Sequence, residues 1–146
     1  MIEEIVEKEG RLDILVNNFG TSNAAKDLDI QSTEYAEFQK TLDLNIGSVF
    51  LASQAVIPHM AKNGGGSIIN ISSVGGSVPD IFQIGYGTSK AAINYLTKLI
   101  ATQTARDNIR CNAVLPGMTA TDAVMQNLTQ NFQDFFLKHT PIKRMG

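Results

Sequence analysis

The chain has 146 residues, 43% of them hydrophobic and 18% charged, with a net charge of −2. That length suits one domain with a real core and is short for two, and the charge balance, without any basic block, argues against a nucleic-acid surface. The single cysteine, Cys111, excludes an internal disulfide and sits in an apolar run, as a buried, inert thiol would. No apolar stretch approaches membrane-spanning length, and Glu3 and Glu4 stand where a signal peptide would be basic, so a soluble cytoplasmic protein is expected.

Residues 2–9 predict a helix with Ile2, Ile5 and Val6 on one side and Gly10 as its stop. Residues 12–16 are an apolar run ending in Asn17-Asn18-Phe19-Gly20, the pattern of a buried strand followed by a turn. Residues 21–31 are polar and mixed and are expected to be loop. A long helical pattern starts near Ser32, a plausible N-cap, and runs through Tyr35, Phe38, Leu42, Ile46, Val49, Ala52, Val56 and Met60. Asn45 and Gly47 interrupt it, which predicts a bend or a local job, and Pro58 with residues 63–66 ends it. Residues 67–73 predict a second buried strand. A helix from Tyr86 to about Ala105 is expected to pack through Ala92, Leu96, Leu99 and Ile100. Residues 109–115 predict a third strand, stopped by Pro116-Gly117. A last helical region over roughly 121–138 carries Val124, Met125, Leu128, Phe132, Phe135, Phe136 and Leu137.

Strands separated by long helical crossovers predict an α/β fold, a doubly wound parallel sheet with helices on both faces. In such sheets ligands bind beyond the carboxyl ends of the strands. Those ends are residues 17–20, 72–76 and 116–121, so Ser73, the glycines, Thr119 and Thr121 are expected around one crevice.

The chemistry-bearing stretch runs from Ser73 to Lys90. Tyr86 and Lys90 are four positions apart, one turn from each other on a helix face. A phenol, whose ordinary pKa is about 10, is a poor base near neutral pH, and an ammonium beside it favours the phenolate. A hydroxyl such as Ser73, brought in from a strand end, could then hydrogen-bond the oxygen of a reacting alcohol or carbonyl. On a bare surface helix the same pair is a solvated one, so its surroundings must decide. His59 and His139 have no companion at a metal-ligand spacing and suit surface or capping roles. Gly64-Gly65-Gly66 precedes a strand and lacks a Lys-Ser/Thr pair, which makes it a plain loop. Ser72, Ser73 and Ser89 lie in no Gly-x-Ser-x-Gly elbow, so a hydrolase is rejected.

In that order, these residues resemble the short-chain dehydrogenase/reductase family across essentially the whole chain. Asn17-Asn18-Phe19-Gly20 is similar to the family's Asn-Asn-Ala-Gly strand end, with Phe in place of Ala; Asn45 falls where the family has its helix Asn. Ser73, Tyr86 and Lys90 keep the family's spacing, and Pro116-Gly117 followed by Thr121 resembles its Pro-Gly-x-x-x-Thr segment. The resemblance implies hydride transfer between NAD or NADP and a carbon bearing an alcohol or carbonyl. It implies Tyr86 as general acid/base, Lys90 as the group that tunes Tyr86 and holds the nicotinamide ribose, and Ser73 as the orienter of the substrate oxygen. Asn45 would hold a water linking Lys90 to solvent, and Asn18, Gly20, Gly117, Thr119 and Thr121 would line the cofactor. Residues 57–60, 77–81, 108–117 and 139–141 further resemble those of bacterial 7α-hydroxysteroid dehydrogenases, which oxidise a bile-acid hydroxyl. Residues 124–137 would then suit a lid over a flat apolar substrate, or else simply pack on a core or a neighbouring subunit.

Against the family pattern, no glycine cluster sits on a first strand-to-helix turn, and the first strand resembles the family's fourth. The expectation is a single partial Rossmann-like domain over residues 1–146, without the N-terminal Gly-rich part and the C-terminal strand, that alone binds dinucleotide weakly and turns over little. A non-catalytic relative that senses a dinucleotide or binds a partner is the alternative, disfavoured by the intact Asn45, Ser73, Tyr86 and Lys90. By resemblance, helices over 33–61 and 86–104 would pair chains into a homodimer or homotetramer.

Overall fold

The computed structural model describes every residue except Leu128, and every side chain except those of Ala123, Asn127, Phe132 and Phe136 as well. It forms two compact units, Met1–Leu115 and Pro116–Gly146. The first holds helix α1 (Ile2–Glu9), strand β1 (Ile14–Asn17), helices α2 (Tyr35–Leu42) and α3 (Ser48–Lys62), strand β2 (Gly66–Ile71), helix α4 (Ile84–Thr104) and strand β3 (Ile109–Val114). The strands lie in the order β1-β2-β3, all parallel, with Leu15 opposite Ile68 and Ile68 opposite Cys111. This is the Rossmann-like parallel α/β sheet that the strand–helix alternation predicts, with one face of these three strands packed by helices and the other left open where both were expected to be covered.

The core lies between one face of the sheet and the helices. Val56 and Met60 of α3, Ile68 of β2, Ile100 of α4, and Ile109 and Cys111 of β3 form it, with Ile2, Leu12, Leu15 and Leu96 packed at its margin. Side chains alternate across a strand, so the other face carries Ile14, Val16 and Val114, all exposed. The expectation of a buried first strand is therefore corrected: among the described residues β1 has one neighbour, and only its Leu15 side reaches the core.

The long helix is interrupted where Asn45 and Gly47 stand, by a π-turn over Asp43–Gly47 joining α2 to α3. Such turns insert an extra residue into the ladder and rotate the helix beyond them. Two details differ from expectation. Ser32 is not the N-cap: its amide donates to Asp29 Oδ1 in a turn of its own, and α2 starts behind Glu34 without a side-chain cap. Pro58 lies inside α3, which continues to Lys62 despite the missing N–H.

Helix α4 buries the expected face in part, with Ile100 inside and Leu96 at the core margin, and adds polar residues that were not expected there. Ser89, Ile93, Thr97, Ile100 and Thr104 are inside, whereas Leu99 is exposed. The threonines can be buried because each hydroxyl donates to a carbonyl one turn back, Thr97 to Ile93 and Thr104 to Ile100. Cys111 is buried as expected, and burial pushes its thiol up to about 11 against the opposing hydrogen bond from Asn70.

In the second unit the single helix expected over 121–138 is two, α5 (Asp122–Asn127) and α6 (Gln130–His139). The carbonyl of Thr129 accepts from the Gln133 amide, which places a residue type favoured at helix starts before α6. Leu128, assigned to that helix from sequence, lies outside the described residues, as do the side chains of Phe132 and Phe136. Among the described residues no helix is long and apolar enough to cross a membrane.

Candidate active site

Ser73 follows the carboxyl end of β2 in extended conformation and opens a short 3-10 turn, Val74–Gly76. Its Oγ accepts from the Gly75 amide at 3.1 Å, which leaves its own hydrogen to donate elsewhere. A Cβ on Gly75 would stand 3.5 Å from Ser73 Oγ and 3.9 Å from Tyr86 Cε1, so the serine and the tyrosine ring flank one narrow gap. The turn is held against α4 by Ser72, whose buried hydroxyl donates to the Lys90 carbonyl at 3.0 Å. Ser72 thus has a framing job, and Ser73 is the serine left facing the gap.

Lys90 is buried with its ammonium donating to the Ile71 carbonyl at 2.9 Å, and Nζ lies 5.6 Å from the centroid of the Tyr86 ring. Burial lowers its pKa from the ordinary 10.5, since a charged amine loses solvation there. The chain admits the amine by leaving Gly20 without a side chain: a Cβ at that position would fall 2.8 Å from Lys90 Nζ and 3.7 Å from Asn45 Oδ1. The strand end of β1, the π-turn and α4 therefore meet at one point.

Asn45, fully buried in the π-turn, uses its whole side-chain amide in framing. Oδ1 accepts from the Thr21 amide at 2.8 Å, while Nδ2 donates to the Thr21 carbonyl and to Ser89 Oγ, both at 2.9 Å. With both amide hydrogens committed, only its oxygen lone pairs would remain for a solvent molecule. Asn18 borders an apolar groove of about 500 Å³ along β1 that also takes in Ile5, Ile14, Val16 and Phe19.

Gly117, Thr119 and Thr121 belong to the second unit. There Thr119 Oγ1 donates to the Gly117 carbonyl at 3.4 Å, and Thr121 Oγ1 accepts from the Val124 amide at 3.3 Å at the start of α5. His59 lies 3.0 Å from Glu3 and ties α3 to α1; His139 pairs with the Phe135 carbonyl at 2.8 Å. Among the described residues no three His, Cys, Asp or Glu side chains come together.

Two residues of the site escape a sequence reading. Asp27 is fully buried yet lies in the stretch expected to be loop, where no periodicity marks it. Ser89, also fully buried, stands one turn beyond Tyr86 and beside Lys90, a position that could have suggested packing against the pair.

The family model for short chain dehydrogenases matches residues 1–131. A 7alpha-hydroxysteroid dehydrogenase of Clostridium sardiniense is 53% identical over 146 residues, covering 100% of this chain and 56% of that protein. Another from Paraclostridium sordellii is also 53% identical, covering 100% of this chain and 55% of its own. A solved structure, 7 alpha-hydroxysteroid dehydrogenase complexed with NADH and 7-oxo glycochenodeoxycholic acid, matches with a TM-score of 0.91 at 37% identity, over 99% of this chain and 55% of that one. The chain thus spans about half the length of these relatives.

Proposed function

The chain belongs to the short-chain dehydrogenase family, and from that premise we propose that it serves an NAD(P)-dependent oxidoreduction between a secondary alcohol and its ketone, with a bile-acid 7α-hydroxyl as the substrate group. The observation that carries the reading is the convergence of Ser73, Tyr86 and Lys90 at the carboxyl end of β2. In oxidation, Tyr86 Oη takes the proton of the substrate hydroxyl; in reduction it returns one to the carbonyl oxygen. Ser73 donates its free hydroxyl hydrogen to that same oxygen and fixes its distance from Tyr86. The Lys90 ammonium stabilises the negative charge that Tyr86 Oη carries while it holds no proton.

The residues present fit the nicotinamide end of a dinucleotide. Lys90 offers an ammonium for ribose hydroxyls, and the bare backbone at Gly20 opens the way to it. Bound nicotinamide would supply the acceptor or donor of the hydride. None of the described strands runs through a glycine-rich turn directly into a helix, so no pyrophosphate cradle of that kind is assigned to residues of this chain. Identity to the two hydroxysteroid dehydrogenases supports the steroid assignment. So do the exposed apolar side chains of Val74, Val78, Ile81 and Phe82 between Ser73 and Tyr86.

Nicotinamide absorbance tests this on the 146-residue chain and on a chimera that adds the rest of the Clostridium sardiniense relative. Turnover of 7α-hydroxylated bile acids that disappears in Tyr86→Phe supports both the mechanism and the substrate. Turnover confined to simple secondary alcohols removes the steroid, and cofactor binding by the chimera without any turnover removes the enzyme reading.

A further inference from the structure

Tyr86 is held by a closed ring of hydrogen bonds. Its carbonyl accepts from Ser89 Oγ at 2.7 Å, Ser89 Oγ accepts from Asn45 Nδ2, and Asn45 is doubly bonded to the backbone of Thr21. On the other side, the Tyr86 amide donates to Asp27 Oδ2 at 2.8 Å, and Ser22 Oγ donates to the same oxygen at 3.2 Å. Thr21 and Ser22 are neighbours, so the ring closes through the segment that precedes α2. Asp27, Asn45 and Ser89 are all fully buried.

Asp27 does the work that a local N-cap would ordinarily do. Gln83, at the cap position of α4, has left-handed backbone (φ 61) and makes no side-chain cap bond. Its place is taken from across the chain: Asp27 Oδ1 accepts from the Gly85 amide at 2.7 Å while Oδ2 takes that of Tyr86. The carbonyls of Asp27 and Leu28 accept from the amides of Gln83 and Ile84. Four successive amides at the start of α4 are thus satisfied by two residues. Among the described residues no Lys, Arg or His pairs with this carboxylate, so the amides at the helix start are what compensate its charge. Gly85 is small for the same reason, since a Cβ there would lie 3.1 Å from Asp27 Oδ1 and 3.2 Å from Thr41 Cβ.

We propose that Asp27 is a positioning residue: its carboxylate sets where the first turn of α4, and with it Tyr86, stands, and couples that position to the segment 20–28 that abuts Lys90. The proposal rests on Tyr86 as the proton-transfer group, and half of its test does not need turnover. Backbone amide exchange is followed at Gly85 and Tyr86 against Ile68 and Ile69 of β2, in Asp27→Asn and Asp27→Ala, on the same chimera used for kinetics. Asp27→Ala is expected to speed exchange at Gly85 and Tyr86 by about tenfold or more relative to β2, the loss of a charge-assisted bond. kcat is expected to fall by a similar factor, about tenfold, with KM for the nicotinamide cofactor within about twofold. Asp27→Asn keeps the shape and one acceptor oxygen, and should fall between; it decides the matter should Asp27→Ala not fold. Exchange at Gly85 and Tyr86 that is unchanged, or that rises in step with β2, overturns the proposal. Local loosening with kcat intact overturns it too. A parent protein that turns over nothing sinks the dehydrogenase reading instead, and leaves the exchange data to say whether Asp27 holds Tyr86.

Discussion

Lys90 shows how a residue that would serve the proposed reaction carries a cost to the fold. Burial lowers its pKa below 10.5, so at alkaline pH the folded chain gives up this proton before the unfolded chain does. In the window that ends at 10.5 the unfolded state binds more protons, and stability rises with pH; below it both states are protonated and the fold carries a buried ammonium. Urea unfolding at stepped pH should therefore show an alkaline rise in stability that Lys90→Met flattens, and an identical slope in the variant would show the shift to be absent. For activity the sign reverses: alcohol oxidation should fall on the alkaline side at a pH below that of an ordinary lysine, as the ammonium beside Tyr86 is lost. Gly20→Ala probes the same amine from outside. The new Cβ would meet Lys90 Nζ at 2.8 Å, and the flexible tip can move away. The fold should lose only about 1 kcal/mol, the worth of the Lys90–Ile71 hydrogen bond, while kcat falls by about tenfold or more. Matched thermal melts and kinetics would expose the opposite pattern, a large loss of stability with activity kept.

At the scale of elements, the sheet and α4 are joined by a polar seam inside an otherwise apolar core. Asn17 Nδ2 donates to Asn70 Oδ1 at 2.8 Å across the strand pair, and Asn70 Nδ2 donates to Thr97 Oγ1 of α4 at 2.9 Å. A one-residue slip of β1 against β2 would break the first bond, so the seam fixes register as well as the apolar pattern does. Asn70→Ala would leave the Asn17 amide only its longer 3.4 Å bond to Ser53 Oγ and open a small cavity, and should lower unfolding free energy by about 1–3 kcal/mol in denaturant titration. A loss below about 0.5 kcal/mol, the range of an ordinary surface change, would show that the seam is not structural. The same seam explains what was legible in the sequence. The three strands and their crossovers were, because period and punctuation carry them, and so was the break at Asn45. The buried face of α4 was legible only through Leu96 and Ile100, because Ser89, Thr97 and Thr104 score as polar until their own helix and its neighbours satisfy them. Tyr86, Lys90 and Ser73 could be picked out by spacing. Asp27 could not, since its partners lie 58 and 59 positions away and no local pattern points to them.

For the whole molecule, the open side of the sheet is one surface through which chains could meet in solution. Ile14 and Val16 are 63% and 52% exposed, on a strand whose outer edge has no partner among the described residues, and the apolar groove of about 500 Å³ runs along the same strand. Covering such side chains is worth about 1.5–3 kcal/mol each when complete, and an unpaired edge adds backbone groups that seek partners. The 146-residue chain should therefore associate with itself as concentration rises, and sedimentation velocity should show it. Val16→Lys points away from the core, so it should leave the melting temperature nearly unchanged while shifting the boundary toward monomer. The helices offer a competing surface, with Phe50 and Leu51 exposed on α3 and Tyr95 and Leu99 exposed on α4. Leu51→Glu is the matching probe for the helix-paired homodimer or homotetramer that the family resemblance implies. If Val16→Lys dissociates the 146-residue chain and Leu51→Glu does not, the sheet edge drives association. If the pattern inverts, the helices pair the chains and the exposed strand is not an assembly surface. Run on the chimera, the same two substitutions separate the causes further: association through the helices should persist there, whereas association through β1 should vanish once additional chain covers that edge.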